Sequence, residues 1–350
     1  MILSIRGMLF GLTAALLCAN SIARAQEVTF KLHHFVPPTA TAHVKFLAPW
    51  ADKIAKESNG RIKIQIYPAL QLGGTLPQLL DQVRDGVVDI VWTIPGASAG
   101  RYPAFEAFEL PFMTKTAQGS SRALWDYVHL NKLDQTELKA FKLLATHTHD
   151  PGAIHTIAKP VRTLADFKGM KIRAPTRWTS KMLASFGASP VGMPVNQVSE
   201  ALSKGVIDGT ILSWEIVPSL KVHELVKFHT ETPSSSRALY TTSFVVAMNP
   251  AKYASLPADL KRVIDNNSGV EFSALAGKTW DDAAAPHRKL AEARGNQFIA
   301  LSQDELKLWA IASQSVAEDW IREVEGKGYD GKALLKSAKE LIEKYDAKTN

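Results

Sequence analysis

The residue with the most to offer chemically is Arg173, which closes the run Met170-Lys171-Ile172-Arg173. That run reads as a strand. Met170 and Ile172 share one face, so Arg173 points the other way at the strand's C-terminal end. Ala174-Pro175-Thr176 follows: Pro175 ends the strand, and Thr176 is suited to cap a helix from Arg177 to Phe186. Open α/β sheets bind ligands where a strand end leads into a helix N-terminus, and free N–H groups favour an anion there. A guanidinium in that place can grip a carboxylate through two parallel hydrogen bonds. From position alone, a surface arginine at a strand end is the plainer reading.

Two other constellations carry chemistry of a different kind. Gly96-Ala97-Ser98-Ala99-Gly100 matches the G-x-S-x-G nucleophile elbow and follows a strand, which makes a secreted serine hydrolase using Ser98 a distant alternative. The elbow must lead directly into a helix, however, and Arg101-Tyr102-Pro103 argues for an extended loop instead. His147 and His149 share a strand face, with Asp150 beside them and His155 further on. No second cluster of suitable spacing completes a metal site, so cleft-lining, hydrogen-bonding histidines are the better reading. No Walker loop or dinucleotide fingerprint is present. Basic residues are scattered among carboxylates, which speaks against nucleic-acid binding. The sequence therefore implies no enzyme, cofactor or metal.

The elements that must position these groups follow an α/β rhythm. Val28, Phe30 and Leu32 alternate with polar or basic residues, as do Ile62, Ile64 and Ile66, and both stretches read as strands. Between them Val44 to Ser58 is helix-like and stops at Asn59-Gly60. A third strand ends in Val87-Val88-Asp89-Ile90-Val91-Trp92, and the order strand, helix, strand, helix, strand suits a covered, largely parallel sheet.

An internal echo divides the chain. Gly73 through Asp89, shifted by 119 positions, lands on Gly192 through Asp208, with Gly73, Gln78, Gly86, Val87 and Asp89 meeting identical residues. Each copy holds a short amphipathic helix that stops at a glycine before a buried strand, which predicts two related lobes. The second lobe begins near His149, where Pro151-Gly152 breaks the chain after strand Lys142–His147. The expected division is 1–25 signal peptide and 26–148 first lobe, with a return segment at about 238–277. The second lobe is then 149–237, joined by C-terminal helices at about 278–350.

The start of the chain sets the compartment. Arg6, the apolar run Met8–Leu17 and Ala23-Arg24-Ala25 form the pattern of a cleavable signal peptide. The run is short of the ~20 apolar residues that span a bilayer. Cleavage after Ala25 is expected, leaving a periplasmic protein without direct membrane insertion. It removes Cys18, the one cysteine among 350 residues, and the loss of Arg6 and Arg24 takes the formal charge from +7 to +5.

Four runs make a family recognisable: Gly86-Val87-Val88-Asp89, Phe108-Glu109-Leu110-Pro111-Phe112, Lys168-Gly169-Met170-Lys171-Ile172-Arg173-Ala174-Pro175 and Gly205-Val206-Ile207-Asp208-Gly209. With Gly60-Arg61-Ile62-Lys63 and Gln71-Leu72-Gly73-Gly74, their order resembles the DctP-type solute-binding proteins, the extracytoplasmic subunits of TRAP (tripartite ATP-independent periplasmic) transporters. The resemblance implies an α/β fold of two lobes, with a ligand cleft between them and a long connecting helix towards the C-terminus. It implies Arg173 as the arginine that pairs with the substrate carboxylate, and a membrane permease as partner.

Departures from the family pattern bear on the ligand. Thr146-His147-Thr148-His149-Asp150 offers no second arginine where some relatives carry a basic side chain, and Asp208-Gly209 leads to Ser213-Trp214-Glu215. The expected ligand contacts are therefore Arg173 for the carboxylate, with Trp92, His34, Phe35, His149, Trp214, Glu215 and Tyr240 around it. One fixed cation among tryptophans suits an organic acid anion, a monocarboxylate with an apolar or aromatic body. A C4-dicarboxylate or a 2-oxo acid stays open as the alternative.

Overall fold

A computed structural model describes residues 28–347. The expected signal segment and Cys18 lie outside the described residues. Two sheets form the two lobes. The first has strand order β2-β1-β3-β10-β4, from β1 (Val28–His34), β2 (Ile62–Tyr67), β3 (Ile90–Thr93), β4 (Lys142–Thr148) and β10 (Ser243–Met248). The second has order β11-β9-β5-β8-β6-β7, from β5 (Ala153–Thr156), β6 (Lys171–Ala174), β7 (Ser189–Gly192), β8 (Gly209–Leu212), β9 (Phe228–Glu231) and β11 (Gln297–Ala300). β10 runs antiparallel to both its neighbours in the first sheet, and β5 does the same in the second. The remaining strand pairs are parallel.

The sequence echo has a structural counterpart. β2-β1-β3-β10 and β7-β6-β8-β5 repeat one arrangement, with the antiparallel strand in the same place. At the repeated corner Gly86 and Gly205 take φ of 74° and 66°, the left-handed conformation that ends a helix at little cost for glycine. Asp89 and Asp208 then stitch their strands to the next. Their carboxylates accept from the backbone N–H of Lys31 (2.8 Å) and Lys171 (2.7 Å). Their own N–H groups donate back to the carbonyls of the same two lysines. The aspartate recurs because each sheet has the same orphan donor at the same strand start.

Local pattern and structure agree at the first strands, where Phe30 and Leu32 on β1 and Ile62 and Ile64 on β2 are buried. The helix after β1 starts earlier than its apolar pattern suggests, with a wide π-helical turn over Ala42–Leu47 before the α-helix Ala48–Glu57. Val87 and Val88 precede the third strand rather than belonging to it.

The C-terminal part departs from the expected division. A single long helix, Val270–Ala293, runs through the expected boundary near residue 277, and Asp281 on it accepts from the N–H groups of Ala117 and Gln118, both at 2.9 Å. Helices Gln303–Ala312 and Gln314–Glu325 follow the second lobe, with Trp309 packed against Phe167 and Phe186. The last helix, Gly331–Asp346, instead packs on helix Ala117–Leu130 beside the first sheet, where Lys344 and Tyr345 bind Asp126. Its apolar stripe Leu334, Ala338, Leu341 and Ile342 is buried, and burial of that stripe holds the tail on the first lobe. No helix among the described residues is long and apolar enough to cross a membrane.

Candidate functional site

Between the sheets lies a cavity of about 50 Å³. A single water needs roughly 10–15 Å³ on this scale, so the space can hold more than one water or a small molecule. Larger spaces of 340 to 370 Å³ exist, but the buried arginine lines the smaller one.

Arg173 sits in it at 3 % exposure. Its Nε donates to the Met193 carbonyl at 3.0 Å and one Nη to the Ile211 carbonyl at 3.4 Å, which fixes the plane of the guanidinium. Three of its five N–H donors remain. No carboxylate among the described residues forms an ion pair with it, and burial lowers its pKa to about 10. A buried cation with no counter-ion is costly unless something else supplies the negative charge. Tyr240 faces the same space, its phenol pushed up by burial and so neutral. Its ring leaves no room at Gly152, where a Cβ would lie 2.1 Å from Tyr240 Cε1. Gly152 is thus required by close approach, and its N–H donates to the Tyr240 carbonyl.

The opposite wall is aromatic. Phe35 stacks on Trp92 at 4.9 Å and 8°, and Trp92 on Phe244 at 5.2 Å and 3°. Trp280, from the long helix, completes the wall. The Trp92 indole is oriented by a buried chain: its Nε1–H donates to His147 Nε2 (2.7 Å), whose Nδ1–H donates to the Thr148 carbonyl (3.1 Å). Burial drives His147 down to about 3, so this chain is uncharged.

Two polar groups complete the lining. His149 donates from Nδ1 to the Asp150 carbonyl at 2.5 Å and is held neutral by burial, its pKa lowered to about 4. Glu215 accepts the Ala42 N–H at 3.2 Å through Oε1, which ties the second lobe to the first, and burial pushes its carboxyl up to about 8.

Arg173, Trp92, Phe35, His149, Glu215 and Tyr240 therefore meet in one cavity. Trp214 and His34 do not. Trp214 faces the interior of the second lobe, where its Nε1 donates to Glu231 (2.7 Å) and its ring packs against His155 and His229. It opens the turn that follows β8, and its neighbours Leu212, Ser213, Glu215 and Ile216 line the cavity while its own ring does not. His34 lies behind Trp92, edge-on to it and hydrogen-bonded to His43 at 2.9 Å. The sequence reading also missed Thr242, Phe244 and Trp280. Period two from Tyr240 points to the first two; nothing local marks Trp280.

The competing chemistries find no geometry. Ser98 follows a short turn, Pro95–Ala97, its hydroxyl donates to the Pro77 carbonyl (2.9 Å), and the next helical turn starts only at Phe105. His155 belongs to β5 in the other sheet and binds His229. No group of three metal-ligating side chains is found among the described residues.

Comparison with known proteins agrees with the cavity. The chain matches the family described as bacterial extracellular solute-binding protein, family 7 (DctP), over residues 32–323. It is 46 % identical to a TRAP solute-binding protein from Rhodoferax ferrireducens T118 solved with copurified benzoate, covering 92 % of this chain and 100 % of that one, with a TM-score of 0.90. A marine metagenome TRAP solute-binding protein specific for aromatic acid ligands, solved with 3-hydroxybenzoate, is 51 % identical over 92 % of this chain and 100 % of that one (TM-score 0.89). A TRAP periplasmic solute-binding protein from Bordetella bronchiseptica, with bound (R)- and (S)-mandelate, is 30 % identical over 91 % and 99 % (TM-score 0.83). These relatives are binding proteins rather than enzymes, and the chain belongs with them to the DctP family of TRAP solute-binding proteins.

Proposed function

We propose that the protein captures a single-ring aromatic monocarboxylate in the periplasm and delivers it to a TRAP membrane permease. The observation that carries this reading is Arg173, a buried cation without a carboxylate partner, set in a small aromatic cavity. An incoming carboxylate supplies the missing charge through the guanidinium fork, and the ring of the acid lies against Trp92, Phe35 and Phe244. The aromatic acids bound by the relatives from Rhodoferax and the marine metagenome support the same ligand class.

The mechanism is a population shift. Closing the lobes without ligand buries an uncompensated guanidinium, whereas closing them over an anion buries a neutral pair. Glu215 on Ala42 then links the lobes beside the ligand. A C4-dicarboxylate fits less well, because Arg173 is the sole lysine or arginine among the residues lining the cavity. Calorimetric titration with benzoate, succinate and pyruvate tests the reading. Benzoate should bind with micromolar or tighter affinity, about −8 kcal/mol or better. Tighter binding of succinate or pyruvate would replace it with one of the alternatives.

A further inference from the structure

Beside the hydroxyls of Tyr240, Ser213 and Thr242, two ionisable groups in the cavity have polar atoms without a protein partner among the described residues. Glu215 lines the cavity at 4 % exposure; its Oε1 faces the Ala42 N–H, and no residue among those described bonds its Oε2. His149 is 6 % exposed; its Nδ1–H is committed to the Asp150 carbonyl, so Nε2 carries a lone pair with no protein donor. The hydrogen-bond directions fix the roles. Oε1 of Glu215 meets a donor, so a proton on this carboxyl sits on Oε2. Glu215 and His149 thus offer one donor and one acceptor, neither charged, and separate from the Arg173 fork. A hydroxyl is the simple substituent that accepts and donates at once. A second carboxylate could only accept, and a bare ring edge would leave both groups unpaired.

Resting on the aromatic-monocarboxylate reading above, we propose that the site recognises a hydroxyl on the ligand. Its oxygen accepts from Glu215 Oε2, its proton goes to His149 Nε2, and hydroxylated aromatic acids are thereby selected over unsubstituted ones.

The proposal has a pH signature. Around Glu215 stand Arg173, Tyr240 and His149 in the cavity, Asp150 beside His149, and His287, whose Nδ1 contacts the Glu215 carbonyl; His43 follows Ala42. Burial raises Glu215 to about 8, so the donor is present at neutral pH and is lost as pH rises through that value. Phenolic hydroxyls ionise nearer ~10, which leaves a window in which only the protein group changes. Expressing the effect as a ratio of affinities between two ligands cancels titrations that act on both.

The experiment is calorimetric titration of the purified protein with benzoate and the three monohydroxybenzoates. At least one isomer should bind about tenfold more tightly than benzoate, in line with a site built to hydrogen-bond a hydroxyl. Glu215→Leu should bring that ratio within about twofold of one. Glu215→Gln keeps an acceptor for Ala42 and an N–H donor for the cavity but does not titrate. It should retain most of the preference and hold it above about pH 8, where the wild-type ratio shrinks. Circular dichroism checks that each variant folds, and if Glu215→Leu does not, the pH comparison with Glu215→Gln decides alone. Preference for benzoate, an unchanged ratio in Glu215→Leu, or a wild-type ratio flat through pH 8 overturns the hydroxyl reading while leaving the carboxylate reading intact. Failure of all four acids to bind overturns both.

Discussion

Arg173 and Arg177 stand on the two sides of the Pro175 corner and meet opposite surroundings. Arg173 is buried with carbonyls alone as partners. Arg177 opens the next helix and donates to Glu106 of the first lobe and Glu323 of the C-terminal helices. It also lies over the Trp178 ring, whose Nε1–H donates to the same Glu106 oxygen. Burial works against the charge on Arg177, but Glu323 and Glu106 outweigh it and its pKa is raised, whereas that of Arg173 is lowered. The same residue type thus does two jobs. A cation with its carboxylates in place joins the lobes to the C-terminal helices, and one without them is, on the proposed reading, the partner for an anion from outside.

That contrast can be broken by mutation. Arg173→Ala should weaken benzoate binding at least thirtyfold by calorimetry, since removing one partner of a buried charge pair costs ~2–5 kcal/mol. The ligand-free protein should unfold at the same temperature or higher, because an unpaired buried charge has gone. If affinity survives, Arg173 is not the carboxylate site. Arg177→Met should do the reverse. Denaturant unfolding should show a loss of about 3 kcal/mol, because Glu106 is left buried without its partner, while the order of preference among acids stays unchanged. A loss of selectivity without a loss of stability would erase the distinction between the two arginines.

Smaller effects sharpen the boundary of the pocket. Gly152→Ala places a methyl against the Tyr240 ring, and overpacking of this kind typically costs ~1–3 kcal/mol. Ligand affinity should fall about tenfold as Tyr240 shifts; unchanged affinity would remove Tyr240 from the site. Trp214→Phe should change affinity less than twofold and lower stability by about 1 kcal/mol, the worth of its bond to Glu231. A large affinity loss there would restore Trp214 to the ligand surface.

Much of the site was legible because strand geometry is periodic and local. A strand end, a proline and a capping threonine made Arg173 a candidate that the family resemblance then singled out, and the recurring glycine and aspartate revealed the paired sheets. Period would have recovered some of what residue type missed. Tyr240, Thr242 and Phe244 share one side of the chain and line the cavity together, as do Trp92 and Ile94. Trp214 and His34 do not, and they stand where the chain leaves β8 and β1, beyond which both parities line the cavity and period two no longer decides. Trp280 was hidden for another reason: its part in the site depends on how the long helix crosses the sheets, which no local pattern encodes. The last helix escaped likewise, since its apolar stripe is equally suited to either lobe until Asp126 and Asn131 are in place to meet it.

The interior positions of β10 and β5 have a consequence for the order in which the molecule can assemble. β10 separates β3 from β4 and is supplied from about a hundred residues beyond β4; β5 opens the second sheet from the far side of the crossing. A chain grown only as far as residue 240 has a gap in the middle of its first sheet, with the β3 and β4 edges unpaired. Contacts of such sequence separation form slowly. The first lobe, although it begins the chain, cannot be finished until most of the second has already been made.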